Sequence, residues 1–593
     1  MDRNGKLIPF GEISESFKGL KDEGIYYVDK TSFIPFLIEQ RRQICVFTRP
    51  RRFGKTLMLR TLQTFFEYVL DEEGRPVDNR HYFEGLKVME AGEDVLRHLG
   101  QYPVISLSFK DVSGDSYEEI VAQLRGAVCV ACEPHKKILK QSGLLSEAQL
   151  ETLQHYLDRR ASESELMQFF EILTGWINSV TGRNSVILLD EYDVPLQKAA
   201  IYDNKHPGSD LFDKTVKLIG KFISAGFKSN NNLAFGVISG CMRVARESIF
   251  TGMNNPGVIT VLSKIPDEFW GFTEAEVKSM LAYYGIEDKY PMIERWYDGY
   301  AYSGRKVFNP WSLLNAIRGL VNDEGEFAIK PYWGLTSGND IIDDMIDRNP
   351  DHRNALAKLM NGETMCVPVY ENLSYRDLRE NPDAVWSFLF YTGYLKTVKL
   401  SKNEDDMLEA EIAVPNTEVK TLMRTSLTRW WKNSNLTSSN AEKLLSAFWD
   451  GNIRNIENIL FEILNTGISV HDAKEDFYHG MVVGLLWTKC RVQSNREHGE
   501  GRPDIVAIEG NRAVILELKC VPPSVMQKIP QGQAYVQVPG IMKKLLDEAE
   551  TQIKTRHYVE GLLFEEQNVT EVKAFGVCFC RKRCMAREVP LAY

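Results

Sequence analysis

A join near the N-terminus constrains this chain more than any other feature. An apolar run, Ile44–Thr48, passes through Arg49-Pro50-Arg51-Arg52-Phe53-Gly54-Lys55-Thr56 into a helix predicted over Leu57–Tyr68. A strand, a tight loop, Gly-Lys-Thr and a helix, in that order, are what a phosphate-binding loop needs. Gly54 lets the backbone come close to an anion, and successive N–H groups at the helix N-terminus form a nest for it. Lys55 is expected to reach the β- and γ-phosphates of a nucleotide, and the Thr56 hydroxyl to bind Mg²⁺. The first glycine of the usual G-x-x-x-x-G-K-[ST] pattern is replaced by Arg49, which predicts an altered loop shape and leaves the Gly-Lys-Thr chemistry in place.

The surrounding pattern agrees with that join. Short apolar runs at Val104–Phe109, Ser185–Asp190 and Leu233–Ser239 alternate with helical stretches over the first 265 or so residues. This is the pattern of a parallel sheet covered by helices, in which ligands collect at the C-terminal ends of the strands. One such end is Asp190-Glu191, an apolar strand closing on two acids. Asp190 is placed to hold a Mg²⁺ shell and Glu191 to polarise an attacking water. Beyond Leu233–Ser239 lie Arg243 and Arg246, either of which could sense a γ-phosphate.

The 593 residues exceed a single core and predict several domains. Their division is expected at 1–265, 266–345, 346–454 and 455–593. In the second part, Thr273 and Glu276 form a capping box that starts a helix. Trp296, Tyr297, Tyr300, Phe308, Trp311, Tyr332 and Trp333 are expected to pack the core of a small helical lid. In the third, a helix over Val385–Tyr391, a turn at Gly393 and two strands around Ser401–Asp406 suggest a winged-helix-like unit. In the last, an amphipathic helix near Phe477–Trp487 precedes a hairpin, Pro503–Ile508 and Ala513–Leu518, then a helix over Val536–His557 and a strand over Ala574–Cys580.

That hairpin carries a second constellation. Residues two apart on a strand share a face, so Glu517 and Lys519 project together and Asp504 on the neighbouring strand can meet them. Two carboxylates beside a lysine suit a Mg²⁺ ion that activates water and offsets charge on a phosphate, with Lys519 positioning the water or stabilising the transition state.

Composition limits the partners. With 44% hydrophobic and 26% charged residues, the chain reads as globular. It has no apolar run of about 18 residues, so no membrane span is expected. No signal peptide is expected from its first residues. Ten cysteines without framework spacing point to a reducing cytoplasm. The net charge of −10 argues against a broadly nucleic-acid-coated surface, yet residues 471–593 hold 17 basic and 16 acidic side chains. The C-terminal part is therefore where a confined nucleic-acid site is permitted.

Two resemblances follow. Tyr27-Val28-Asp29-Lys30-Thr31, the Arg-Pro-Arg-Arg-Phe-Gly-Lys-Thr loop, Asp190-Glu191-Tyr192-Asp193 and Glu247-Ser248-Ile249-Phe250 with Asn254-Asn255 look like the AAA-ATPase-like family of bacterial proteins. Trp296-Tyr297-Asp298-Gly299-Tyr300 and Asn309-Pro310-Trp311-Ser312 fit its downstream region, and the likeness spans about residues 5 to 420. It implies ATP binding and hydrolysis, with Arg51-Arg52-Phe53 before Gly-Lys-Thr as the expected loop. Gly501-Arg502-Pro503-Asp504 and Ile515-Leu516-Glu517-Leu518-Lys519 resemble the PD-(D/E)xK nuclease superfamily over about residues 455 to 593. That resemblance implies a restriction-endonuclease-like domain. It casts Glu475, beside Tyr478-His479, as the helix acid completing the metal shell, and Gln552 and Tyr558 as residues near the substrate. The expectation is an α/β multidomain protein using ATP and Mg²⁺, with nucleic acid, DNA in particular, as partner and an ATP-gated nuclease; a homo-oligomer stays open. The alternative is a nucleotide switch whose nuclease-like domain only binds nucleic acid or a protein.

Overall fold

The computed structural model describes residues 16–591 apart from 72, 243–255, 264–266, 303–304, 323–324, 334–349, 361, 372, 376, 382, 424–437, 466–474, 488, 495–500 and 527–533. The chain forms two compact units. One comprises Met1–Gly338 with Cys366–Val419, the other Asn339–Met365 with Lys420–Tyr593. Among the described residues no helix is long and apolar enough to cross a membrane.

The first unit is built on five strands: β1 (Ile44–Thr48), β2 (Val104–Ser108), β3 (Ser185–Asp190), β4 (Leu233–Gly240) and β5 (Gly257–Ile259). All pairs are parallel, in the order β2-β3-β4-β1-β5. Four of the five coincide with the apolar runs to within a residue. Every residue of β1 and β3 is buried, which is why these strands read as unbroken apolar runs and not as alternation. The helix Lys55–Phe66 lays Met58, Leu59, Leu62, Phe65 and Phe66 into one core with Cys45, Phe47, Val186 and Leu188. Because β1 sits inside the sheet between β4 and β5, the loop after it opens at mid-edge, flanked by the tips of its neighbours.

A small sheet of β6 (Phe272–Thr273), β7 (Tyr300–Tyr302) and β8 (Arg305–Phe308) follows, ordered β6-β8-β7. The Thr273/Glu276 capping box forms as expected and starts the helix Glu274–Tyr284. Val277, Leu281, Ile293, Tyr297, Phe308, Leu313 and Ile317 make its core. The helix Ala384–Thr392 then leads into a sheet ordered β10-β11-β9, from β9 (Met365–Pro368), β10 (Lys396–Lys402) and β11 (Leu408–Ala413). The helix and the two strands expected here are present.

The second unit centres on β12 (Arg491–Ser494), β13 (Ile505–Glu509), β14 (Arg512–Cys520), β15 (Glu571–Cys580) and β16 (Arg583–Glu588), paired in that order. The β14–β15 pair is parallel and the others antiparallel. Alternate residues of β13 enter different cores: Ile505 and Ala507 join Tyr478, Val482 and Leu486, while Val506 and Ile508 join Ile553, Tyr558 and Leu562. The sheet is therefore covered on both faces. The helix Glu475–Trp487 corrects one expectation. It is not amphipathic: Tyr478 to Val483 are buried at six consecutive positions. Its apolar residues share a core with Leu444, Phe448, Ile456 and Leu460 as well as with Val514 and Leu516. A helix apolar all round is one with packing on every side.

Gly299 shows how tightly the first unit is closed. Its φ is 112°, and a Cβ there would lie 1.9 Å from the Pro415 carbonyl oxygen. Gly299→Ala should lower the stability of this unit by about 2–3 kcal/mol, from left-handed backbone strain and displacement of the Pro415 segment. A thermal melt of the variant reads this; an unchanged midpoint would refute the close approach.

Candidate functional site

At the tips of β1, β3 and β4 three side chains meet. The Thr56 hydroxyl donates to Asp190 Oδ2 at 2.6 Å, and the Ser239 hydroxyl donates to Asp190 Oδ1. Lys55 is buried, its Nζ donating to the carbonyls of Arg49 at 3.0 Å and Pro50 at 2.9 Å and meeting Cys241 Sγ at 3.6 Å. The loop turns through left-handed backbone at Arg52 (φ 66°) and Gly54 (φ 80°). The second of these is the helix N-cap, where glycine carries no Cβ penalty.

Arg49, standing where a glycine is usual, does not adopt positive φ. Its side chain is buried, donates to the Thr48 carbonyl at 2.8 Å, and places its guanidinium 5.5 Å from the Trp270 ring centre. The remaining loop residues are also held. Arg51 donates to Gln197 Oε1 at 2.6 Å, the Arg52 guanidinium lies 4.2 Å from the Trp311 ring centre, and Phe53 meets Tyr300 edge-on at 5.1 Å.

These residues border a cavity of about 340 Å³ whose lining is of two kinds. Lys55, Thr56, Glu191, Lys110, Lys198 and Cys241 supply charge and polarity; Tyr26, Val28, Phe272, Pro310, Trp311 and Leu314 supply apolar surface. Glu191 sits in left-handed backbone (φ 54°). Burial and the neighbouring Asp190 raise its carboxyl above the usual range, against the pull of Lys55 and Lys110. Asp193 Oδ2 accepts from the backbone N–H groups of Cys241 at 2.9 Å and Met242 at 3.1 Å, fixing the chain just beyond β4. The structure thus brings Arg51, Arg52, Phe53, Gly54, Lys55, Thr56, Asp190 and Glu191 together. Arg243 and Arg246 lie outside the described residues. Sequence reasoning missed Lys110 and Lys198. Lys110 carried a usable signal, since it follows the C-terminal end of β2.

In the second unit Asp504 stands one residue ahead of β13, not within it. Its Oδ2 accepts the Leu518 N–H at 2.7 Å, which ties it to β14 between Glu517 and Lys519. Glu517 is 1% exposed and accepts from Lys519 Nζ at 2.8 Å. Lys519 also donates to Gln552 Oε1 at 3.2 Å, Gln552 Nε2 donates to the Tyr558 hydroxyl at 3.1 Å, and that hydroxyl donates to the Arg502 carbonyl at 3.2 Å. His479 Nε2 donates to the Asp504 carbonyl at 3.0 Å, a positioning contact. Burial raises the Asp504 carboxyl; the Leu518 N–H, Lys519 and His479 oppose that shift. Five predicted residues, Asp504, Glu517, Lys519, Gln552 and Tyr558, therefore share one centre. Glu475 begins its helix, and its side chain lies outside the described residues. Among the described residues no group of three or more His, Cys, Asp or Glu could hold a metal. The donors present, two carboxylates, are hard oxygen ligands of the kind Mg²⁺ takes.

Comparison with known proteins matches the part of the chain that holds each centre. Residues 12–250 match the family model described as predicted AAA-ATPase, and residues 473–589 match that of the PD-(D/E)XK nuclease superfamily. The chain is also similar to an uncharacterized protein in the vnfD 5' region of Azotobacter chroococcum mcd 1. The two are 27% identical over 443 residues, covering 71% of this chain and 70% of that protein. No solved structure matches.

The hydrogen-bond chain behind Lys519 can be tested without any activity. Tyr558→Phe deletes the hydroxyl that joins Gln552 to the Arg502 carbonyl, and should destabilise the second unit by about 1–2 kcal/mol. Urea unfolding followed in that unit measures it; a midpoint equal to wild type would mean the hydroxyl is not engaged.

Proposed function

We propose that this chain, which joins an AAA-ATPase-like module to a PD-(D/E)XK nuclease-superfamily module, hydrolyses ATP and cleaves DNA with Mg²⁺, cleavage being gated by ATP. The observation that carries the reading is the convergence of Lys55, Thr56 and Glu191 on one cavity, with Asp190 bonded to the Thr56 hydroxyl. Lys55 turns from the loop carbonyls to the β- and γ-phosphates, and the backbone N–H groups at the start of the helix after Gly54 donate to the phosphate oxygens. Thr56 and Asp190 would hold the metal ion of a bound nucleotide. Glu191 orients the attacking water and takes its proton, a role suited to a carboxyl raised above its ordinary value.

In the second unit Asp504 and Glu517, with Glu475, would hold Mg²⁺, which would lower the pKa of water and offset phosphate charge. Lys519 then exchanges its bond to Glu517 for one to the water or the scissile phosphate. Gln552 and Tyr558 keep the lysine in place during that exchange.

Lys55→Ala should weaken nucleotide binding roughly 10- to 100-fold, the worth of a charge-assisted contact. Glu191→Gln should bind as wild type and lose turnover by about 10²- to 10⁴-fold. Equal titrations for wild type and Lys55→Ala would remove the nucleotide assignment. In wild type, turnover should rise with pH as Glu191 loses its proton, at a pH above its ordinary 4.5. That limb should vanish in Glu191→Gln.

For the second centre, plasmid, linear DNA and RNA are incubated with and without Mg²⁺ and ATP. Asp504→Ala and Glu517→Ala should abolish Mg²⁺-dependent cleavage, and Lys519→Ala should abolish it while metal binding persists. Binding of nucleic acid without cleavage under every condition would favour the nucleotide-switch alternative. Gating predicts that Glu191→Gln also changes the cleavage rate.

A further inference from the structure

The loop residue Arg51 is held by its backbone carbonyl as well as by its side chain. Two groups distant in sequence donate to that oxygen: the Trp333 indole N–H at 3.3 Å and Asn309 Nδ2 at 3.4 Å. Trp333 is itself buried and packs edge-on against Tyr394 at 4.6 Å. The short stretch Tyr332-Trp333 is gripped from two further sides. Glu418, 1% exposed, accepts the backbone N–H groups of Tyr332 at 2.7 Å and Trp333 at 2.9 Å through one carboxylate oxygen. The indole of Trp311, which lines the cavity, faces the Tyr332 carbonyl at 3.4 Å. Both ends of this network stand next to places where the chain leaves the first unit. The unit's boundaries fall at Gly338, soon after Trp333, and at Val419, the residue following Glu418.

We propose that Trp333 and Glu418 are positioning residues of the phosphate loop, which transmit its state to the segments connecting with the nuclease-like unit. Trp333 reads the Arg51 carbonyl, and Glu418 fixes Trp333 to the helix over 417–423. When Lys55 leaves the loop carbonyls of Arg49 and Pro50 for a nucleotide phosphate, the adjoining Arg51 peptide is the part of the loop whose reorientation these contacts sense. The inference rests on reading the cavity as an ATP site, and it names how that site's occupancy reaches the other unit.

Hydrogen exchange on the full chain, with and without Mg²⁺ and a non-hydrolysable ATP analogue, tests it, because the amides that Glu418 accepts are themselves the probes. Analogue binding is measured separately by titration. The expected result is a nucleotide-dependent change in exchange at Tyr332 and Trp333 in wild type, lost in Trp333→Phe, which keeps an aromatic ring and drops the N–H. Trp333→Phe should also raise KM for ATP about three- to tenfold, the worth of one hydrogen bond, with kcat nearly unchanged. Glu418→Ala should behave like Trp333→Phe, and Glu418→Gln, whose amide oxygen still accepts, should restore wild-type behaviour. A wild type that does not bind the analogue overturns the ATP reading itself. A wild type that binds it with exchange at these two amides indifferent to nucleotide overturns the transmission proposal and leaves the ATP site standing. So does a Trp333→Phe protein with wild-type KM and wild-type exchange.

Discussion

The Asp190 carboxylate is the point on which the arrangement of the first unit's loop depends. One oxygen accepts from Thr56 and the other from Ser239, so residues far apart in sequence are pinned at a single place. Only a parallel sheet with β3, β4 and β1 as consecutive neighbours brings those three strand tips to one edge. The carboxylate is almost wholly buried, and its cost in that position is offset because both oxygens are hydrogen-bonded. The Thr56 bond also ties the start of the helix after the loop to the tip of β3.

The arginine in place of the first loop glycine follows from the same setting. A glycine there serves a turn; here the turn is made at Arg52 and Gly54, where φ is positive. Arg49 is then free to carry a long side chain, and the only room for it is beneath the loop. A buried guanidinium is expensive unless paired or stacked. It is both stacked on Trp270 and bonded to the Thr48 carbonyl. Lys55 holds the carbonyls of Arg49 and Pro50, and Trp333 that of Arg51. The loop's oxygens are thereby turned toward protein donors.

Elements buried on both faces were legible in the sequence because nothing polar interrupts them: β1 and β3 agree residue for residue with apolar runs. The Thr273/Glu276 box was legible because its signal is local. The edge strands β12 and β16 were not. Arg-Val-Gln-Ser and Arg-Cys-Met-Ala-Arg-Glu carry the polar residues of strands at sheet edges and match no apolar template. The Glu475–Trp487 helix was misread because its apolar residues are explained only by the layers on either side of it. At the sites, Lys55, Thr56, Asp190, Glu517 and Lys519 were found through spacing within one element. Lys198, Trp333 and Glu418 act across separations that spacing does not encode; the Trp333–Arg51 bond joins residues 282 apart. Trp311, Tyr332 and Trp333 were expected to serve only as core, yet two of their indoles reach the loop or the segment bound to it.

The second centre presents an energetic question that packing does not answer. β14 is buried on both faces along most of its length, yet it carries a glutamate at 517 that is 1% exposed. A buried ion pair such as Glu517–Lys519 contributes little net stability, since desolvation of both charges consumes most of the Coulombic gain. Gln552 and Tyr558 add bonds that order the lysine, yet ordering a side chain is itself a cost. Asp504 adds a further carboxylate at the same strand junction, raised by burial. Stability therefore gives no reason to gather these groups; on the function proposed above, a bound metal ion would. Its charge would reverse the burial cost of both carboxylates, and the lysine, displaced from Glu517, would be delivered beside the ion already oriented.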